Sequence, residues 1–153
     1  MERYFKTESK ELVNVIEHTV EQIKQYPDLK IYIATDSQNY GHTSVYVTVI
    51  VYRHGLRGAH YIYRKERIRP SIRDIFSRLW KEAEFTIDIA QFLLDNMPIQ
   101  IETLEFDFNG RIVTKSSPLV KAIKGWAESL GVKALMKPDE MIAAKAADHL
   151  CRN

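Results

Sequence analysis

Cysteine is almost missing from this chain: its 153 residues include one, Cys151. A single thiol closes no internal disulfide, and no Cys/His spacing resembles a zinc site, so neither covalent staples nor structural zinc can be invoked. Phosphate-loop and dinucleotide glycine patterns are also absent, as is any Ser/His/Asp arrangement for nucleophilic catalysis. Long apolar runs are lacking; the most apolar stretch, residues 45–52, is far too short to span a membrane, and no membrane partner is expected. The opening Met1-Glu2-Arg3-Tyr4-Phe5-Lys6 is charged with no apolar stretch behind it, so no signal peptide is read and a cytoplasmic location is expected. Repeats, low-complexity tracts and interdomain linkers are missing as well. The expectation is one domain over residues 1–153, with residues 1–28 as an N-terminal helical extension.

What is present is ordinary globular composition: 45% hydrophobic and 27% charged residues, enough to bury a core at this length. The net charge of +2 says little about partners, but its distribution says more. Seven basic residues (Arg53, Arg57, Arg64, Lys65, Arg67, Arg69 and Arg73) fall in one segment containing a single acid, Glu66. Such a segment creates a local positive field on a near-neutral protein, unless it is only the solvated face of a hairpin.

The hydrophobic pattern predicts a helix over residues 8–25, with Leu12, Val15, Ile16, Thr19, Val20 and Ile23 on one stripe and Thr7 or Ser9 as its cap. Residues 30–35 read as a central strand, being apolar at nearly every position. Turn chemistry follows from Asp36 to Gly41, and then strands over 44–53 and 59–66. Pro70 is placed to open a long helix reaching 96, with Phe76, Leu79, Ala83, Ile87, Ala90 and Leu94 inward. A strand over 99–106, a helix over 117–130, a strand over 132–136 and a helix over 139–150 complete the chain. Without the first helix the order is βββαβαβα, which implies an α/β fold with a five-stranded mixed sheet flanked by helices.

Asp36 and Asp107 stand out by position, each directly following an apolar strand. In open α/β sheets, ligands collect at the carboxyl ends of strands. If the two strands are parallel neighbours, both carboxylates emerge together, and repulsion between them is relieved by a cation such as Mg²⁺ or Mn²⁺. The competing reading is a pair of turn-capping aspartates.

The element order with these acids resembles the ribonuclease H-like superfamily. More narrowly, Ile33-Ala34-Thr35-Asp36-Ser37-Gln38, and Lys137-Pro138-Asp139 followed by Ala143-Ala144, resemble its YkuK-type branch. The resemblance covers residues 31 to the C-terminus and leaves the N-terminal helix outside the superfamily core. It implies four acids around two Mg²⁺ or Mn²⁺ ions. Asp36 matches the first-strand acid and Asp107 the fourth-strand acid. The helix acid is Glu82 or Glu84; both flank the apolar stripe, and the spacing to Ile89-Ala90 favours Glu82. The last acid is Asp139, which begins the final helix and is also a good N-cap, with Asp148 in reserve on the opposite side of that helix.

The implied function is a metal-dependent nuclease hydrolysing phosphodiester bonds of RNA, DNA or a hybrid, with a homo-oligomer allowed. Asp36, Glu82, Asp107 and Asp139 would be catalytic. Arg64, Arg67, Arg69, Arg73 and Lys137 would hold the nucleic-acid backbone, contacts that position without reading sequence. The alternative is a non-catalytic nucleic-acid-binding module on the same fold; a third reading is an assembly subunit whose N-terminal helix packs on a partner. His42, His54 and His60 fall on or near the hairpin without acids spaced to make a cluster, and are read as surface or strand positions. Tyr46, Tyr52, Tyr61 and Tyr63 would stack bases only if exposed; packing is the usual role of tyrosine in strands.

Overall fold

A computed structural model describes residues 3–108, 117–136 and 141–152. The chain begins with two short strands, β1 (Tyr4–Thr7) and β2 (Leu12–Asn14), which pair antiparallel. This corrects the helix expected from residue 8. Lys10, at φ 68°, turns the chain between the strands, and Leu12 is exposed rather than part of a buried stripe. Asn14 then caps α1 (Val15–Gln25), accepting from the N–H groups of Ile16 and Glu17 at 3.0 and 3.1 Å. An Asn side chain on the orphan amides of the first turn is among the strongest helix starts, which is why the helix opens there and not at Thr7 or Ser9.

β3 (Lys30–Tyr40) and β4 (Thr43–Arg53) form a long hairpin, and β5 (Ala59–Ile68) returns antiparallel to β4. The strand expected to stop at Thr35 continues through Asp36, Ser37, Gln38 and Asn39, which pair with Val47, Tyr46, Val45 and Ser44. The turn comes only at Gly41, whose φ of 59° lies in the left-handed region that glycine adopts without strain.

The long helix α2 (Ile75–Asn96) begins later than Pro70, because Asp74 caps it by accepting from the Ser77 N–H at 2.9 Å. Its inner face differs from the expected one at both ends: Phe76 is exposed, and Leu93 rather than Leu94 is fully buried. Four further elements follow: β6 (Thr103–Phe106), α3 (Pro118–Glu128), β7 (Lys133–Met136) and α4 (Ala143–Arg152).

The sheet has seven strands, not five, in the order β2-β1-β5-β4-β3-β6-β7. β1 and β2 extend it beyond β5, while β3 lies inside, antiparallel to β4 and parallel to β6. Strand alternation divides the core into two layers. Ile31, Ile33, Ile50, Tyr52 and Ile62 face the side packed by α2 and α3. Tyr32, Ala34 and the alternating valines Val45, Val47, Val49 and Val51 face Ala143, Ala144, Ala147 and Cys151 of α4. Small alanines let α4 lie close against the sheet, and this brings its polar edge to Asp36.

Candidate active site

Asp36 lies mid-strand on the α4 face of the sheet, beside Val47 of β4, which in turn pairs with Lys65 of β5. The β3–β6 register that aligns Ala34 with Glu105 brings Asp36 level with Asp107, just past the end of β6. From α4, Asp148 reaches the Asp36 carboxylate and shares a hydrogen bond with it. Asp36 is pushed up to about 7, chiefly by burial; the Ser37 backbone N–H pulls it down, while the hydrogen bond and charge of Asp148 and the charge of Asp107 raise it.

Glu82 approaches from the other face. It is 5% exposed on the inner side of α2 and accepts a very short hydrogen bond from the Ser37 hydroxyl. Arg78, one turn earlier, donates from Nε to the same hydroxyl at 3.1 Å. Burial holds Glu82 well above the usual carboxylate range and the charge of Asp36 adds to this, while Ser37 and Arg78 oppose it. Glu84 turns away to an ion pair with Lys81 at 3.0 Å. The structure therefore brings Asp36, Glu82, Asp107 and Asp148 into one electrostatic neighbourhood and leaves Glu84 outside it. Asp139 and Lys137 lie outside the described residues.

Among the described residues, no three His, Cys, Asp or Glu side chains stand close enough to hold a metal ion as they are. The strand explains this: Asp36 and Asp148 meet on the α4 face, whereas Glu82 is tied to Ser37 on the α2 face. The donor set is nevertheless all carboxylate oxygen, which suits Mg²⁺ or Mn²⁺.

The last helix is anchored by a residue the sequence did not mark. Glu105, 1% exposed in β6, accepts from the N–H groups of Ile142 and Ala144 at 2.9 Å, so a carboxylate occupies the positive end of α4. The helix is described from Ala143. Arg152 donates from Nε to Asp148 at 3.0 Å, and the Cys151 thiol points to the Asp36 carbonyl at 3.2 Å. Burial pushes that thiol up to about 12, so it is inert. Asp148 and Arg152 are four apart on a helix, a spacing that announces such a pair in the sequence.

The basic segment divides between the two faces. Lys65, Arg67 and Arg69 line a groove of about 410 Å³ with Tyr40, Thr43 and Arg152 beside the Asp36–Asp148 pair. Arg64 faces the opposite side, 2.9 Å from Glu66 and stacked over Phe5. Arg73 donates to the Gly41 carbonyl at 3.0 Å. Period-two alternation along β5 separates Arg64 from Lys65 and Arg67, a signal readable in the sequence. Tyr46 and Tyr52 are buried, as packing residues are. His54 and His60 form a chain with His18, at 2.8 and 3.1 Å, away from the acids, and His42 is exposed.

The family described as Ribonuclease H-like matches residues 11–152, and the chain belongs to that family. The match begins before α1, so α1 falls within the matched region. A solved structure, RNase H1 from the halophilic archaeon Halobacterium salinarum, is 13% identical over 78% of this chain and 89% of its own, with a TM-score of 0.36. No curated protein matches the chain. Among the described residues, no helix is long and apolar enough to cross a membrane.

Proposed function

We propose that this protein is a divalent-cation-dependent nuclease that hydrolyses phosphodiester bonds of RNA or DNA. The observation that carries the reading is the gathering of acids around Asp36: Asp148 and Asp107 raise its carboxyl, and Asp36 in turn raises the buried Glu82. Like charges are gathered at one buried spot only at a cost, which cations between them would remove. Asp36, Asp107 and Asp148 would hold Mg²⁺ or Mn²⁺, with Glu82 joining from behind Ser37. Asp148, the reserve acid of the last helix, joins them in this reading, while Asp139 lies outside the described residues. Such ions, when bound, lower the pKa of an attacking water and stabilise the leaving oxygen.

The chain's own residues prepare that event. Ser37 and Arg78 fix the Glu82 carboxylate, and Glu105 holds α4 so that Asp148 faces Asp36. Lys65, Arg67 and Arg69 line the backbone track, and Arg64 does not belong to it. Within the family, Thr35-Asp36-Ser37-Gln38 and Lys137-Pro138-Asp139 favour the YkuK-type branch. The alternative, a nucleic-acid-binding module without catalysis, is favoured by one observation: among the described residues no three acids yet stand within reach of a common ion.

Cleavage of hybrid, duplex, single-stranded and four-way substrates with Mg²⁺ and with Mn²⁺ decides between the two. The nuclease reading expects slow metal-dependent cleavage with little sequence preference, abolished by Asp36→Asn. Cleavage that survives that substitution, or none on any substrate despite metal binding, leaves the binding module.

A further inference from the structure

The groove beside the acids is lined by four cations, Lys65, Arg67, Arg69 and Arg152, with no carboxylate among its lining residues. The Tyr40 and Thr43 hydroxyls stand at the same wall, and Arg69 donates to Thr43 at 2.9 Å. Lys65 and Arg67 have no ion-pair partner among the described residues. Four positive side chains around one concavity repel each other, and an anion with several acceptor oxygens relieves all four. The chemistry that fits is a phosphate group.

Arg152 differs from the other three because it also serves the acids. Its Nε binds Asp148 Oδ1 at 3.0 Å, and Asp148 is the residue hydrogen-bonded to Asp36. The guanidinium is therefore shared between the groove on one side and the carboxylate pair on the other. The pair is exposed, at 64% and 44% for the two side chains, so the bond is weak and easily exchanged. A planar fork with five donors turns readily from a carboxylate to a phosphate.

We infer that Arg152 is a latch between the two sites: a strand phosphate seated in the groove draws it off Asp148 and frees that carboxylate for a divalent cation. This rests on the nuclease reading and adds to it a regulation, namely that substrate and cation bind cooperatively. Reciprocity then requires that the cation also tighten binding of the phosphate. The device would keep the carboxylates engaged by a side chain until a phosphodiester arrives.

The test is calorimetric titration of the full chain with Mn²⁺ at fixed ionic strength, with chloride replaced stepwise by sulfate, a phosphate mimic. Sulfate should tighten Mn²⁺ binding of the wild type on the order of two- to fivefold, the size expected from releasing an exposed ion pair. In Arg152→Ala, Mn²⁺ should bind more tightly already in chloride, and sulfate should add little. Arg152→Gln, which keeps most of the stem, should behave likewise and guards against a folding defect. Arg67→Ala should move the sulfate response to higher concentration. A sulfate gain that is undiminished in both Arg152 variants overturns the latch, as does wild-type Mn²⁺ binding that sulfate leaves unchanged. Failure of the wild type to bind Mn²⁺ under any condition overturns the nuclease reading itself. A short single-stranded oligonucleotide in place of sulfate should give the same gain at far lower concentration; a gain from sulfate alone overturns a nucleic-acid strand as the occupant.

Discussion

Asp148 of α4 stands against Asp36 of β3, and its hydrogen bond and charge add to burial in raising the Asp36 carboxyl. Asp36, the more buried of the two by its place in the sheet, is raised from 3.8 to about 7. The neutral form is thus the one the fold prefers.

That preference sets a pH dependence. Between 3.8 and about 7 the folded chain holds a proton at Asp36 that the unfolded chain has lost. The stability gained from it is complete below that window and disappears as pH rises through about 7. Asp36→Asn keeps a neutral side chain at every pH, so its melting temperature should exceed that of the wild type at pH above 7 and converge on it in acid. His18, His54 and His60, whose pKa values are all lowered, pull the other way as pH falls, but equally in both proteins. Thermal melts across a buffer series check the difference. Parallel curves would mean that Asp36 is an ordinary ionised aspartate.

Glu105 is predicted to hold α4 in place. Glu105→Gln keeps the volume but leaves a weaker acceptor for the Ile142 and Ala144 amides, and should cost about 1–2 kcal/mol in urea unfolding. The same variant should bind Mn²⁺ less well, because Asp148 is carried by the helix that Glu105 anchors. An unchanged urea midpoint would show that the helix start needs no carboxylate.

The division of the basic segment predicts unequal salt effects. Neutralising Lys65, Arg67 or Arg69, wherever it truly meets a phosphate, should lower the slope of duplex affinity against salt by about 0.9. Arg64→Ala should leave the slope alone, since Arg64 lies on the other face with Glu66 and Phe5. Fluorescence anisotropy over a salt series measures this. Equal slopes for all four variants would make the groove a solvated face.

Much of this was legible in the sequence, for reasons that differ residue by residue. The apolar run around Ile33 and the alternating valines of β4 marked interior strands, because burial on both faces leaves no room for polar residues. Asp107 does fall just past the end of β6, as its position after an apolar run implied. What failed was local: Asp36-Ser37-Gln38-Asn39 carries turn-forming residues, yet hairpin pairing with β4 overrode them and delayed the turn to Gly41. The first two strands were hidden because Leu12, Val15 and Ile16 also fit a helical stripe, and only Asn14 marks where the helix begins. The apolar stripe alone did not separate Glu82 from Glu84; the family resemblance favoured Glu82, the one of the two that meets the sheet through Ser37. The role of Glu105 was invisible because its partners are backbone amides distant in the chain.

The most direct test is diffraction from crystals soaked in Mn²⁺ at a pH above 7, where Asp36 has given up its proton. The account predicts anomalous density at coordination distance, about 2.1 Å, from an Asp36 carboxylate oxygen, with Asp107 or Asp148 as a second ligand and their side chains turned toward it. Mn²⁺ bound elsewhere on the protein, with Asp36 and Asp148 still hydrogen-bonded to each other, would contradict it.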